Sequence, residues 1–199
     1  MTPTDLRPLA IVISGPSGSG KTTAASYLTS KHHIHRVVTY TTRPRREWES
    51  NGREYRFVHE SEFQRLLDNG TIVEYTRKYP DHHYGSTGAA FRREGPPCLV
   101  VEMDLLGFLR LRARSARRVV GIFIAGPTEQ VLERRRLSQG AAFEQSRYMD
   151  QQHLLPYASI YDHVVVNDRI DEFEATLTAI LHTETCATEA ARWLVQTVR

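Results

Sequence analysis

The segment from residue 15 to residue 22 constrains the fold of this chain more than any other. It reads Gly-Pro-Ser-Gly-Ser-Gly-Lys-Thr and follows the apolar run from Leu9 to Ile13, an order typical of strand, phosphate-binding loop and helix. The glycines let backbone N–H groups converge on an anion, Lys21 can reach terminal phosphates, and the Thr22 hydroxyl can ligate Mg²⁺. A Gly- and Ser-rich turn can also be purely structural, but the complete motif after a strand favours phosphate binding. We therefore expect a nucleoside triphosphate as ligand. The residues predicted to hold it are Gly15, Pro16, Ser17, Gly18, Ser19, Gly20, Lys21, Thr22 and Thr23.

Composition narrows the class of protein. A chain of 199 residues that is 40% hydrophobic is long enough for one well-packed domain. The net charge of +3 is too small to indicate nucleic-acid binding, and basic runs such as 43–56 and 110–118 are usually solvated surfaces. The sequence shows no signal peptide, no apolar run of membrane-spanning length and no cysteine framework. We expect a cytoplasmic protein that binds neither nucleic acid nor membrane.

Apolar runs rich in β-branched residues alternate with amphipathic stretches along the chain. This order predicts an α/β fold of three layers around a central parallel sheet, with ligands at the carboxyl ends of the strands. The predicted strands are Leu9 to Ser14, Val37 to Tyr40, Cys98 to Glu102, Val119 to Ile124 and His163 to Val166, with helices from Lys21 and from about Glu129. One helix is predicted after Asp171 and a separate helical stretch from Thr188 to Val198.

The pattern changes between about residues 40 and 93. Short strands near 55–58 and 71–75 flank a predicted helix at 61–69, which indicates an inserted lobe. The segment 134–152 is polar and rich in arginine, which is typical of a mobile helical flap. We predict one domain with a core of about 1–38, 94–133 and 153–183, a lobe of about 39–93, a lid of about 134–152 and a helical extension of about 184–199.

Three further motifs accompany the phosphate loop. They are Thr41-Thr42-Arg43-Pro44-Arg45-Arg46, Asn51-Gly52-Arg53-Glu54-Tyr55-Arg56-Phe57-Val58 and Tyr84-Gly85-Ser86. Together the four motifs resemble guanylate kinase, and the similarity extends from about Ile11 to Asp168. The resemblance implies a P-loop fold with a GMP-binding lobe and a helical lid. It also implies transfer of the γ-phosphoryl group of ATP to GMP, with Mg²⁺ as cofactor.

The same resemblance implies the residues that bind GMP. Arg43, Arg46, Tyr55 and Tyr84 supply guanidinium and phenol donors for the phosphate, with Thr39 nearby. For the base, the resemblance implies Glu74, Asp104 and Ser86, the last of which follows a predicted turn at Tyr84-Gly85. Guanine presents its N1–H and exocyclic amine on one edge, and a carboxylate can accept from both, whereas adenine lacks this pair of donors.

The resemblance also implies the catalytic group. Lys21 and Arg43 would neutralise phosphate charge together with the lid arginine Arg135, and Asn167 would lie by the adenine of ATP. Thr22 and Glu102 would lie by the metal, Glu102 standing where the family often has an aspartate. The lid departs from the family pattern, because two positions that normally carry arginine are Gln139 and Asp150. Arg147 is one helical turn before Asp150 and is a candidate to compensate. The loop 78–83 is one residue longer than in the family.

Two other functions stay open from the sequence. A P-loop kinase of this fold can act on a modified nucleotide or a sugar phosphate. A catalytically silent relative can bind a phosphorylated peptide, although such modules usually have a degraded phosphate loop and Lys21 and Thr22 are intact here. We expect a monomer or a homodimer.

Overall fold

Strands and helices alternate along the computed structural model, which describes residues 7–78, 82–138 and 153–197. The strands are β1 (Leu9–Ser14), β2 (His35–Arg36), β3 (Thr39–Thr41), β4 (Tyr55–Phe57), β5 (Ile72–Lys78), β6 (His82–Thr87), β7 (Cys98–Glu102), β8 (Arg118–Ala125) and β9 (His163–Val166). The α-helices are α1 (Lys21–His32), α2 (Glu60–Asp68), α3 (Leu105–Arg114), α4 (Glu129–Ser138) and α5 (Ile170–Thr197). Two short 3-10 helices span Gly88–Ala90 and Leu155–Ile160.

Five parallel strands form the central sheet, in the order β2-β7-β1-β8-β9. Every residue of β1 is buried, because helices cover both faces of the sheet. Leu9, Ile11 and Ile13 pack with α1 and α5, while Ala10 and Val12 pack with α3. The predicted three-layer α/β core with a parallel sheet is confirmed.

A second sheet of four strands, in the order β4-β3-β6-β5, forms the lobe. Its pairings are mixed, since β3 runs parallel to β4 and antiparallel to β6. Helix α2 covers the sheet by packing Phe63 and Leu66 against Ile72 of β5. Gly85 of β6 is needed there, because a Cβ atom would come within 2.7 Å of Ile72 and 2.8 Å of Phe63. The predicted inserted lobe is confirmed.

Three predicted elements differ in the structure. The single strand Val37 to Tyr40 is wrong, because the chain leaves the central sheet after β2 and enters the lobe as β3. The Tyr84-Gly85 turn is also wrong, since both residues lie within β6, whose polar sequence gives no apolar run. The two predicted C-terminal helical stretches form one continuous helix, α5. Most of the predicted lid falls outside the described residues.

In the part of the chain that the structure describes, no helix combines the length and apolar character needed to cross a lipid bilayer.

Candidate active site

The phosphate-binding loop connects β1 to α1, and its glycines allow backbone angles and close contacts that other residues would prevent. Gly15 and Gly20 have φ angles of 144° and 102°, which other residues rarely adopt. A Cβ on Gly15 would lie 2.2 Å from the carbonyl oxygen of Ile124, and one on Gly20 would lie 2.2 Å from the Asn167 amide nitrogen. Only glycine fits at these two positions. The loop therefore presents its backbone at the N-terminus of α1, where an anion is favoured.

Lys21 and Thr22 begin α1 and face the ends of neighbouring strands. The Lys21 ammonium donates to the Pro16 carbonyl at 2.7 Å, so the side chain folds back across the loop. The Thr22 hydroxyl donates to the Glu102 carboxylate at 3.1 Å. Glu102 ends β7, which lies beside β1 in the sheet, so the topology brings this carboxylate to the loop.

Glu102 has a second partner that the sequence did not indicate. Its other carboxylate oxygen forms a close ion pair with the Arg36 guanidinium, and both side chains are 10% exposed or less. Arg36 ends β2, and a cationic residue in a two-residue edge strand gives no recognisable signal in the sequence. Hydroxyl and carboxylate oxygens are the ligands that Mg²⁺ prefers, so Thr22 and Glu102 fit the implied metal.

Among the arginines that line the lobe side of the site, Arg43 is the most buried. Its guanidinium forms an ion pair with Glu49 at 2.6 Å and lies 5.6 Å from the ring centres of Tyr55 and Phe57. Burial is the largest single effect and opposes the charge of Arg43, but the hydrogen bond that Arg43 donates to Glu49, together with the attraction of Tyr84, Glu49 and Tyr55, outweighs it, and the pKa of Arg43 is raised. Glu49 also accepts from the backbone N–H of Arg46 at 2.8 Å. This buried carboxylate therefore organises the arginine motif, a role that nothing in the sequence separated from its acidic neighbours.

The two predicted tyrosines meet beside Arg43. The rings of Tyr55 and Tyr84 are 5.9 Å apart in an edge arrangement. Burial, together with the negative charge of Glu102, raises the pKa of Tyr55 well above its ordinary value. The Tyr55 phenol therefore keeps its proton at neutral pH and can donate to an anion. Thr39 is buried on β3, directly opposite Tyr55 on β4.

The predicted base-recognition residues lie on three adjacent elements. Glu74 of β5 pairs with Ser86 of β6, and both are buried, at 7% and 3% exposed. Asp104 caps α3 by accepting from the Gly107 backbone N–H at 2.8 Å. Burial first, and then repulsion from Asp104, raises the pKa of Glu74, while Arg110 opposes both effects. Arg110 donates to the Glu74 carboxylate at 3.2 Å, a contact between α3 and β5 that the sequence did not reveal.

Residues of α4, and Asn167 directly after β9, contact the phosphate-binding loop. The buried side-chain amide of Asn167 donates to the Ser19 carbonyl at 2.8 Å, and Arg135 donates to the backbone carbonyl of Asn167 at 3.0 Å. Arg136 packs against Gly18 and pairs with Glu129 at 2.6 Å. Arg147, Gln139 and Asp150 lie outside the described residues.

One cavity of about 800 Å³ joins the two halves of the site. On the loop side it is lined by Gly15, Ser17, Gly18, Gly20, Lys21, Thr22, Thr23 and Glu102. On the lobe side it is lined by Thr39, Arg43, Arg46, Tyr55, Glu74, Tyr84, Ser86 and Asp104. The structure thus brings most predicted site residues to one cavity. Pro16, Ser19, Arg135 and Asn167 are outside its lining, although each touches the loop or its supports.

A family model described as guanylate kinase matches residues 7–184 of the chain. The chain belongs to the guanylate kinase family. The chain is 32% identical over 197 residues to "Guanylate kinase" of Caldanaerobacter subterraneus subsp. tengcongensis, covering 96% of this chain and 95% of that one. It is 34% identical over 176 residues to that of Neisseria gonorrhoeae, covering 86% and 85%.

The fold agrees with the same family. The crystal structure of guanylate kinase from Anaplasma phagocytophilum matches the structure of this chain with a TM-score of 0.73 and 27% sequence identity. The match covers 91% of this chain and 88% of that chain. The family resemblance of the four sequence motifs is confirmed, and the protein is a nucleoside monophosphate kinase.

Proposed function

We propose that this protein transfers the γ-phosphoryl group of ATP to GMP, giving ADP and GDP, with Mg²⁺ as cofactor. The observation that carries this proposal is the single cavity shared by the phosphate loop and the lobe. Lys21 and Thr22 lie on one side of it and Arg43 and Glu74 on the other. A cavity of this kind suits two ligands whose phosphates meet between the sheets.

The lobe supports GMP as the acceptor. Its phosphate dianion needs several directional donors, and Arg43, Arg46, Tyr55 and Tyr84 all line the cavity. Thr39 adds a hydroxyl on the same side. The ionised Glu74 carboxylate can accept from the N1–H and exocyclic amine of guanine, with Ser86 and Asp104 beside it.

The loop side supports ATP as the donor. Backbone N–H groups at the start of α1 bind phosphate oxygens, and the Lys21 ammonium exchanges its Pro16 contact for the terminal phosphates. Bound through Thr22 and Glu102, Mg²⁺ would neutralise charge on the phosphates. No covalent nucleophile is needed, because this reaction depends on positioning and charge neutralisation. Arg135 and Arg147 are proposed to complete the charge around the transferred group.

The test is a coupled ADP-release assay with ATP, Mg²⁺ and one acceptor at a time. The acceptors are GMP, dGMP, AMP, CMP, UMP and ribose phosphates. We expect turnover with GMP, and we expect Glu74→Ala to lower kcat/KM for GMP by about 10²-fold or more, because buried donors of the base lose their charged acceptor. Glu47→Ala, an exposed carboxylate in the same lobe, is the matched control and should leave turnover unchanged.

The other outcomes point to the alternative functions. Turnover only with a ribose phosphate or another nucleotide would identify a kinase with a different acceptor. ATP binding without any turnover would favour a silent binding module. Light scattering on a sizing column separates a monomer of 22.8 kDa from a homodimer.

A further inference from the structure

Glu74 lines the cavity, but its carboxylate is held by Arg110, a residue outside the cavity lining. Arg110 lies on α3 and does not line the cavity, and its side chain is about half exposed. One of its nitrogens, Nη1, donates both to Glu74 Oε1 at 3.2 Å and to the Tyr75 backbone carbonyl at 2.9 Å. Nη1 carries two hydrogens, so each acceptor can receive one. The guanidinium is therefore fixed against β5 by two neighbouring residues of that strand.

The second carboxylate oxygen is left for a ligand. Within the described residues, Glu74 Oε2 accepts no hydrogen bond. Gly107, one turn before Arg110 on α3, makes room for the carboxylate, because a Cβ there would lie 3.3 Å from both of its oxygens. Arg110 and Gly107 together determine where the Glu74 carboxylate can lie.

We propose that Arg110 is a positioning residue for base recognition: it orients the Glu74 carboxylate toward the guanine edge without touching the substrate. The inference rests on the proposed function. It assigns to α3 of the core a part in the specificity of the lobe.

The positive charge of Arg110 also favours base recognition by Glu74. A protonated Glu74 would present a donor where guanine also presents donors. Burial and Asp104 both raise the pKa of Glu74, and Arg110 is the cation that opposes them. The guanidinium thus favours the ionised form that accepts from the base.

The experiment compares Arg110→Gln with Arg114→Gln, which removes the same charge from an exposed position of the same helix. Steady-state kinetics are measured with GMP and with IMP, whose base lacks the exocyclic amine. We expect Arg110→Gln to raise KM for GMP about tenfold, with kcat and KM for ATP within about twofold of the unaltered protein. The preference for GMP over IMP should fall several-fold, because a misoriented carboxylate no longer accepts both donors.

Arg110→Lys is the second variant, because it keeps the charge but not the planar fork. It should recover part of the lost affinity for GMP and provides the same comparison if Arg110→Gln lowers the Tm. Turnover of GMP by the unaltered protein tests the proposed function by itself, and its absence would overturn both proposals. With that turnover established, the role of Arg110 is overturned if Arg110→Gln matches Arg114→Gln. It is also overturned if KM rises equally for GMP and ATP, or if the GMP to IMP preference does not change.

Discussion

At the residue scale, the side of the cavity that we propose for base recognition lowers the stability of the fold. Burial and the repulsion of Asp104 raise the pKa of Glu74 above that of an ordinary glutamate, even with Arg110 beside it. The folded protein therefore binds this proton more tightly than the unfolded chain does. Above the raised pKa the ionised carboxylate lowers the free energy of unfolding, and below the pKa of the unfolded chain this penalty is absent.

We expect Glu74→Gln to raise the Tm at pH 7–8 by about 2–4 °C, which corresponds to about 1 kcal/mol in a chain of this size. The gain should shrink as the pH falls through the raised pKa and vanish below about pH 4.3, where an unfolded glutamate is itself protonated. Thermal unfolding followed by circular dichroism between pH 4 and 8 measures it. The exposed Glu47→Gln variant is the control and should not shift the Tm. A lower or unchanged Tm for Glu74→Gln at pH 8 would show that Glu74 carries no such penalty.

The buried pair of Arg43 and Glu49 lies on the side of the cavity where we propose that the GMP phosphate binds. Glu49 is 1% exposed and serves both Arg43 and the Arg46 backbone, so it fixes the donors before any anion arrives. In the proposed phosphoryl transfer, donors that are already in place need no rearrangement during the reaction, and such preorganisation is usually the largest single contribution to catalysis.

At the element scale, the end of β9 determines the shape of the phosphate loop. The Asn167 side-chain amide donates to the Ser19 carbonyl within the loop, and the Asn167 backbone carbonyl accepts from Arg135 of α4. The family resemblance predicts a contact with the adenine base, whereas the hydrogen bonds in the structure support a role in holding the loop. These two roles differ in a measurable way.

We expect Asn167→Ala to raise KM for ATP about tenfold, since a buried hydrogen bond to the loop costs about 1–3 kcal/mol when one partner is removed. If the residue holds the loop, affinity for ATP, GTP and CTP as donors should fall by the same factor, and KM for GMP should stay unchanged. A selective loss of affinity for ATP would instead indicate base contact and contradict the loop role. Asp168→Ala, at the exposed neighbouring position, provides the control.

The sequence predicted the elements that carry apolar runs and missed those that do not. Strands β1, β7 and β8 are buried in the central sheet, which requires continuous apolar residues, and the edge strand β9 carries the apolar run Val164 to Val166, of which Val165 is buried. Strand β6 has the sequence His-His-Tyr-Gly-Ser-Thr because it faces the ligand cavity on one side, so hydrophobic periodicity cannot find it.

The site shows the same division. The sequence motifs identified most of the residues that line the cavity, because binding a phosphate and a base requires particular donors and acceptors. Arg36 and Arg110 were missed as partners, because each contacts a residue of another element and only tertiary packing brings the two together. Glu49 lies in the same loop as its partner Arg43, but nothing in the sequence separates it from the acidic residues near it.

At the scale of the whole molecule, the residues that we propose for the reaction come from two sheets. The central sheet supplies the phosphate loop and Glu102, and the lobe sheet supplies the tyrosines, Glu74 and Ser86. Helix α3 joins them, because Asp104 and Arg110 act on Glu74. A third component, the predicted lid of about 134–152, would have to add positive charge over the transferred phosphoryl group.

The sequence of the lid makes a definite prediction about this charge. Gln139 and Asp150 stand where the family pattern has arginines, so Arg147 is the cation expected to replace them. We expect Arg147→Ala to lower kcat by about 10³-fold with little change in either KM, because the interaction forms mainly in the transition state. Arg134→Ala, an exposed arginine of α4, is the control and should retain activity. If the two variants have equal kcat, the enzyme works without this clamp, and Gln139→Arg should then leave kcat unchanged rather than raise it.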